Sequence, residues 1–147
     1  MKIAIGNDHI GIELKATVIE ELEKRKFEVV DCGTDSSKRV DYPIYAEKVA
    51  GLVANGEVDK GIVLCGTGVG VSIAANKVNG IRCVCCSDPY SAKLSREHND
   101  TNVLAMGSRV VGKELARMIV NEWLDGVYES GRHKKRIELI KDIEGRQ

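Results

Sequence analysis

The sequence predicts one α/β domain in which helices cover both faces of a five-stranded parallel sheet. Short apolar runs alternate with helical patterns from one end of the 147-residue chain to the other, and this alternation is typical of parallel sheets. No internal repeat, low-complexity stretch or linker interrupts it. The hydrophobic content of 43% and the charged content of 30% are ordinary for a globular protein with a core of its own.

The first three elements are predicted from changes in the spacing of apolar residues. Residues 2–5 form a short, mainly apolar run that suits a strand. Residues 11–26 carry apolar side chains at helical spacing, with Glu and Lys on the other side. Residues 27–32 then return to a short apolar run, which predicts the second strand.

A polar loop over residues 33–41 leads into the second helix. Pro43 suits the first turn of this helix, which is predicted to run through residue 54. Residues 61–65 lack polar side chains, which is typical of a strand covered on both faces. The third strand is therefore expected near the centre of the sheet.

The second half of the chain continues the alternation to its end. In order, the patterns predict a helix at 71–77, a strand at 81–86, a helix at 89–99, a strand at 102–106, and helices at 112–124 and 135–144. Together the elements predict a single Rossmann-like three-layer αβα sandwich over residues 1–147.

Composition excludes several classes of function. Basic and acidic residues balance at 22 each, so no charge bias favours nucleic acid or an anionic membrane as a partner. No apolar stretch approaches the length of a signal peptide or a membrane span. The five cysteines are unevenly spaced, which favours reduced thiols in a cytoplasmic protein. Cys83 and Cys86 lie within one predicted strand and have no second pair, so no metal site is expected.

The stretch LCGTGVG, residues 64–70, places three glycines directly after the third strand. It lacks both the dinucleotide-binding spacing and the Walker spacing of nucleotide-binding loops. A run of backbone N–H groups without bulky side chains, at the start of a helix, stabilises negative charge on a phosphate or an oxyanion. A tight turn with positive φ explains one such glycine easily and three less well.

Polar residues follow three strands at the edge where ligands of parallel sheets bind. Asp8 and His9 come after the first strand, Cys65 and the glycines end the third, and Ser87 and Asp88 follow the fourth. Cys65 is either a small core residue or a thiolate stabilised by the following helix. His9 and His98 are candidates for acid–base chemistry, or else ordinary loop histidines.

Two arginines near the C-terminus are spaced i, i+4. Arg132 and Arg136 can therefore project from one face of the last helix. By default such a pair is a solvated surface, but together with Arg109 and His133 it supplies the charge to bind a phosphate.

Several motifs together resemble one family, the type-B ribose-5-phosphate isomerases. The resemblance runs over essentially the whole chain and rests on NDH at 7–9, DYPIYA at 41–46, CGTGVG at 65–70, SIAANK at 72–77, SREHNDTNVLAMGSRVVG at 95–112 and GRHKKR at 131–136. The wider family includes allose-6-phosphate isomerases and galactose-6-phosphate isomerase subunits.

The resemblance implies interconversion of ribose 5-phosphate and ribulose 5-phosphate through a cis-enediolate, with no metal or other cofactor. Cys65 resembles the base that moves a proton between C1 and C2, and no acid between residues 65 and 77 offers an alternative base. The resemblance gives Thr67 and Asp8 roles with hydroxyl protons, and it makes His98 the residue that helps to open the sugar ring.

The resemblance also implies the remaining substrate contacts and a homodimer. The loop glycines Gly66, Gly68 and Gly70 would stabilise the enediolate, Tyr42 and Asn99 would contact the sugar, and the phosphate would be held by His9, Arg109, Arg132 and Arg136. The site would be completed across the dimer interface, with His98, Asn99 and Arg109 from the partner and the C-terminal helix packed on it. Dimers could pair into tetramers.

Two alternatives remain at this point. An isomerase for a six-carbon sugar phosphate, such as allose 6-phosphate, needs only a roomier cleft. A non-catalytic phosphosugar-binding module is the more remote alternative, because binding alone needs no base such as Cys65.

Overall fold

The structure is a computed structural model that describes residues 1–147. Its five strands form one parallel sheet in the order β2-β1-β3-β5-β4. The strands are β1 (Lys2–Asn7), β2 (Glu28–Asp31), β3 (Lys60–Cys65), β4 (Cys83–Cys85) and β5 (Val103–Gly107). The helices are α1 (Ile12–Lys24), α2 (Tyr42–Ala54), α3 (Val69–Ala75), α4 (Pro89–Asn99), α5 (Lys113–Asp125) and α6 (Arg132–Glu144). The predicted α/β fold with a five-stranded parallel sheet is confirmed.

Alternating side chains of the central strands enter two separate cores, one on each face of the sheet. Ile62 and Leu64 of β3 pack on the side of α1, α4 and α5, where the indole N–H of the fully buried Trp123 donates to Thr101 Oγ1 at 2.9 Å. Val63 and Cys65 pack on the side of α2 and α3. Each fully buried Ile or Leu contributes about 1.5–3 kcal/mol. Cys65 thus belongs to the α2–α3 layer.

Strand β4 is shorter than the predicted run of residues 81–86. It pairs only with β5, and on its outer side the Asn76 side chain takes the place of another strand. Asn76 Oδ1 accepts from the Cys83 N–H at 2.8 Å, and Asn76 Nδ2 donates to the Cys83 carbonyl at 2.9 Å. A side-chain amide satisfies this edge, which the apolar pattern of the strand does not reveal.

Two helices begin earlier than their sequence patterns predict. Helix α3 starts at Val69, inside the glycine stretch, because Gly68 takes the left-handed conformation with φ of 80° at the N-cap. Helix α6 starts at Arg132, which places Arg132 and Arg136 in its first turns. No helix has both the length and the apolar content to span a membrane.

The chain crosses from one side of β1 to the other between β2 and β3, which creates a crevice at the carboxyl ends of these strands. β1 pairs with β2 and with β3, and Asn7 lies beside Leu64 in the ladder. In open parallel sheets ligands bind at such a switch point. The segments after β1, β2 and β3 therefore meet at one edge.

Candidate active site

Cys65 is the last residue of β3, and its thiol lies against the amide of the loop that follows. The thiol sulfur accepts a hydrogen bond from the Gly68 N–H at 3.2 Å. Only 6% of Cys65 is exposed. A backbone N–H directed at sulfur is a donor that a thiolate can accept, and the thiolate is the form of cysteine that takes a proton from carbon. The loop thus provides the partner that a cysteine base needs.

Two glycines allow this loop to lie where it does. A Cβ atom at Gly68 would come within 2.8 Å of the Met106 carbonyl carbon, and the positive φ disfavours a side chain as well. A Cβ atom at Gly107, which ends β5, would lie 2.5 Å from the backbone of Thr67. The loop therefore packs directly on the end of the neighbouring strand.

Backbone and hydroxyl hydrogen bonds tie the loop to the segment after β5. Ser108 donates to the Cys65 carbonyl from its amide at 2.8 Å and from its hydroxyl at 3.1 Å. The Arg109 amide donates to the Gly66 carbonyl at 3.0 Å. Thr67 Oγ1 accepts from the Val69 N–H at 3.3 Å, which leaves the hydroxyl proton free to donate elsewhere.

Asp8 and His9 follow β1 and are both oriented by backbone donors. Asp8 Oδ1 accepts from the N–H groups of Ile10 and Gly11 at 2.9 and 3.2 Å, so its second oxygen remains free. His9 Nδ1 accepts from the Val40 N–H at 3.3 Å. This hydrogen bond assigns the proton of neutral His9 to Nε2, which is thereby a donor.

These residues line one cleft of about 700 Å³. The predicted residues that it brings together are Asp8, His9, Tyr42, Cys65, Gly66, Thr67, Gly70 and Arg109. Gly68 lies directly behind Cys65, as its hydrogen bond shows. Tyr42 covers Gly70 so closely that a Cβ atom there would lie 2.6 Å from the phenol ring. Ile10, Val69 and Ile73 add apolar walls.

Arg39 also lines the cleft, although no motif or spacing in the sequence singles it out. It lies in the loop that follows β2, whose carboxyl end meets the same edge of the sheet, so the topology alone could have indicated it. Neither Arg39 nor Arg109 forms a salt bridge with a carboxylate of the chain. Two guanidinium groups in one cleft are thus free to bind an anion.

The other predicted residues lie apart from this cleft, in a region that we call the α4–α6 corner. It comprises the end of α4, the segment before α6 and the first turns of α6, and it contains His98, Asn99, Glu129, Arg132, His133 and Arg136. None of them lines the Cys65 cleft. Asn99 lines a separate cavity of about 470 Å³. Arg109 was expected from a partner chain, but it lines the cleft of its own chain because its amide is tied to Gly66.

At the corner, two imidazole rings share one carboxylate. The His98 and His133 rings stack with centroids 4.2 Å apart and planes 10° apart. Glu129 Oε2 lies 3.8 Å from His98 Nε2 and 3.6 Å from His133 Nε2. Burial lowers the pKa of His133, and the neighbouring charges of His98, Arg132 and Arg136 lower it further and outweigh the opposing effect of Glu129. His133 is therefore neutral at neutral pH.

The Cys83 and Cys86 thiols do not line the Cys65 cleft. Burial raises the pKa of Cys83 well above its ordinary value and that of Cys86 to about 12. Both groups therefore stay protonated at neutral pH, and a metal ligand would have to be a thiolate.

Comparison with known proteins gives one consistent family. Residues 3–140 match the family described as ribose/galactose isomerase. Ribose-5-phosphate isomerase B of Escherichia coli is 63% identical over 146 residues, covering 99% of this chain and 98% of that protein. A structure of Clostridium thermocellum ribose-5-phosphate isomerase B is 53% identical, with a TM-score of 0.98 and 99% of each chain covered. The Mycoplasma genitalium enzyme with bound ribulose-5-phosphate is 40% identical, with a TM-score of 0.95 and coverage of 99% and 97%.

Proposed function

The chain belongs to the ribose/galactose isomerase family, and we propose that it interconverts ribose 5-phosphate and ribulose 5-phosphate with Cys65 as the base. One observation carries the assignment of the base. The Cys65 thiol, hydrogen-bonded by the Gly68 amide, lies in a cleft whose two guanidinium groups have no carboxylate partner. A base next to an anion-binding surface is what a phosphorylated sugar with an acidic C–H requires.

The reaction moves one proton between adjacent carbons. The Cys65 thiolate takes the proton from C2 of the open-chain aldose, and the electron pair forms the C1–C2 double bond of the enediolate while charge collects on O1. The thiol then returns the proton to C1, and the carbonyl forms at C2. The hydroxyl proton moves from O2 to O1 through Thr67 or the free oxygen of Asp8, so protons and electrons balance. Loop amides stabilise the developing oxyanion.

The phosphate is held at the cationic wall of the cleft. Arg39 and Arg109 supply guanidinium donors, and His9 supplies the Nε2–H that its contact with Val40 leaves free. Binding energy from the phosphate holds C1 and C2 against Cys65, since a remote group adds attraction without taking part in the chemistry.

Ring opening requires residues from the α4–α6 corner, and we assign these to a second copy of the chain. His98 would open the ring, Asn99 would contact the sugar, and Arg132 and Arg136 would add to the phosphate site. Apolar side chains are exposed both at the cleft, at Val69 and Ile73, and along α6, at Leu139, Ile140 and Ile143. A two-fold homodimer would cover both surfaces and bring each corner to the partner's cleft, with α6 packed on the partner. Pairs of dimers could form a tetramer.

We place the protein in the cytoplasm. All five cysteines are free thiols, and a reducing compartment keeps them so.

The assignment of Cys65 is tested by replacing its thiol. Cys65→Ala should reduce isomerisation of ribose 5-phosphate by about 10³-fold or more, because it removes the group that takes the proton from carbon. The matched control is Cys85→Ser, since Cys85 contacts the same loop through the Thr67 carbonyl at 3.8 Å but lines no part of the cleft. The control should keep turnover within about threefold. Formation of ribulose 5-phosphate is followed by absorbance, and circular dichroism checks that both variants fold.

Three results would contradict the proposal. Near-normal turnover by Cys65→Ala would remove the thiol from the chemistry. A value of kcat/KM for allose 6-phosphate above that for ribose 5-phosphate would replace the five-carbon substrate with a six-carbon one. Binding of ribose 5-phosphate without turnover by the unmodified protein would support a phosphosugar-binding module instead.

A further inference from the structure

The α4–α6 corner contains a carboxylate that no role assigned above explains. Glu129 Oε2 faces the Nε2 atoms of both His98 and His133, at 3.8 and 3.6 Å. The Glu129 amide donates to the Glu97 carbonyl at 2.9 Å, which fixes this residue to the last turns of α4, where His98 lies. His133 Nε2 is buried and has no hydrogen-bond partner at all. The carboxylate thus sits where it can act on His98.

The same three groups do not suit a metal ion, although two imidazoles and a carboxylate are common zinc ligands. A metal ion lies in the plane of each imidazole that binds it, along the lone pair of the nitrogen. The two rings are parallel within 10° and stacked at 4.2 Å. Their in-plane lone pairs therefore run side by side and cannot converge on one ion without breaking the stack.

We propose that Glu129 is a positioning residue for ring opening, which keeps the proton of neutral His98 on Nε2 and leaves Nδ1 as the nitrogen that acts on the sugar. This inference rests on the proposed function, in which His98 opens the ring. A carboxylate facing one imidazole nitrogen selects the tautomer with its proton there. The two distances are slightly longer than a direct hydrogen bond, and catalytic contacts of this kind often tighten only when substrate binds.

With this tautomer, one nitrogen can carry the ring-opening proton. Nδ1 of His98 accepts the proton of the O1 hydroxyl, and the O1 electrons form the carbonyl with C1 as the C1–O4 bond breaks. The O4 oxygen takes the bond electrons and receives the same proton from Nδ1. Both oxygens are bonded to C1 in the ring form, so they lie within reach of one nitrogen. The His98 ring is an imidazolium only in between, and Glu129 stabilises that charge.

His133 completes the arrangement as a neutral ring. Burial lowers its pKa, and His98, Arg132 and Arg136 lower it further and outweigh the opposing effect of Glu129, so His133 carries no charge that would oppose an imidazolium at His98. The face of a flat neutral ring attracts a cation that is stacked on it. The stack also holds the plane of the His98 ring while its Nε2–H faces Glu129.

The test separates ring opening from proton abstraction with an isotope effect. Turnover of ribose 5-phosphate is measured with hydrogen and with deuterium at C2, for the unmodified protein and for Glu129→Gln. The C2–H bond is not broken when the ring opens. Slower ring opening should lower kcat of the variant about tenfold or more. Because ring opening would then limit turnover, the isotope effect on kcat of the variant should be close to 1 and no larger than that of the unmodified protein.

A matched control and the opposing outcomes keep the inference falsifiable. Glu122→Gln makes the same change at an exposed carboxylate of α5 and should leave kcat within about twofold. An unchanged kcat in Glu129→Gln, or a lower kcat with an increased isotope effect, would overturn the positioning role, because the slow step would then be at Cys65. Absence of turnover by the unmodified protein would contradict the proposed function itself.

Discussion

The Cys65 cleft and the α4–α6 corner are built in different ways. In the cleft, backbone hydrogen bonds and close glycine contacts at the ends of adjacent strands fix the residues, as with the Cys65 sulfur on the Gly68 amide. At the corner, side chains on helices hold one another, as with the stacked rings of His98 and His133. The cleft has a base and cations but no acid–base histidine other than His9, whose Nδ1 is already engaged. The corner therefore lacks the thiol and loop amides of the cleft, and the cleft lacks the paired imidazoles of the corner.

The largest effect is expected from combining two inactive chains. Cys65→Ala damages the cleft and His98→Asn damages the corner, so each variant alone should be nearly inactive. If the corner serves the partner's cleft, a mixed dimer has one site in which both residues are intact. Random mixing makes about half of the dimers mixed, with one intact site of two, so about a quarter of normal activity should return. Refolding an equimolar mixture and assaying turnover measures this.

The control for this mixture uses two variants of the same region. Cys65→Ala and Thr67→Ala both damage the cleft, so no assembly of the two chains contains an intact cleft with both residues, and activity should not return. Failure of the Cys65 and His98 variants to complement each other would mean that the two regions do not form one site between chains. The corner would then contribute nothing to catalysis at the partner's cleft.

Much of the fold follows from local sequence pattern. The five strands and six helices were predicted because burial on both faces gives β3 a continuous apolar run, while exposed helices keep a polar side. The error at β4 has a physical cause, since Asn76 satisfies its outer edge through a side chain. The start of α3 was misplaced because the left-handed Gly68 lets the helix begin within the glycine stretch. A side-chain hydrogen bond to a residue seven positions away and the conformation of one glycine leave no trace in the pattern of apolar residues.

The site was less predictable than the fold. Asp8, Cys65 and Thr67 could be placed together because parallel strands bring their carboxyl ends to one edge. Arg39 was missed because its loop has no apolar pattern, and only the neighbouring strands locate it. The roles of His98 and Arg132 came from family resemblance. No spacing in the sequence indicates that helices α4 and α6 hold them away from the cleft of their own chain.

A smaller effect is expected from removing one arginine of each region in turn. Arg109→Ala in the cleft and Arg132→Ala at the corner should each raise KM for ribose 5-phosphate by about 10- to 100-fold, the loss expected for a charge-assisted hydrogen bond. Neither change should alter KM for free ribose by more than about twofold, because that sugar has no phosphate. Steady-state kinetics with both sugars provide the measurement.

The exposed Arg146 beyond α6 provides the matched control for these arginines. Arg146→Ala should leave both KM values unchanged. If Arg109→Ala raises KM and Arg132→Ala does not, the cleft binds phosphate without the corner. If both substitutions affect the two sugars equally, neither arginine reads the phosphate.

The smallest effect concerns Lys15, whose contacts support the cleft and not the α4–α6 corner. Its ammonium is buried, and it donates to Asp31 at 2.9 Å, to Asp35 at 2.6 Å and to the Thr34 carbonyl at 3.2 Å. These contacts fasten the start of the loop that carries Arg39 into the cleft. Lys15→Met should therefore lower the free energy of unfolding by about 1–2 kcal/mol and raise KM a few-fold, while kcat stays within about twofold.

The pH dependence of the stability lost in Lys15→Met distinguishes a bound ammonium from simple packing. Burial lowers the pKa of Lys15, but its hydrogen bonds to Asp35 and Asp31 and their charges outweigh burial and raise the pKa above its ordinary value of 10.5. A raised pKa means that the stabilisation is complete below the ordinary value and is lost as pH rises through the folded-state pKa. The free energies of urea unfolding of the protein and of Lys15→Met should thus differ by a constant amount from pH 7 to about 9.5, and the difference should shrink only at higher pH.

The matched control is Lys24→Met, which removes an exposed pair with Glu20 and should change stability by less than about 0.5 kcal/mol throughout. A Lys15 effect that fades below pH 9 would mean that the ammonium does not hold the loop.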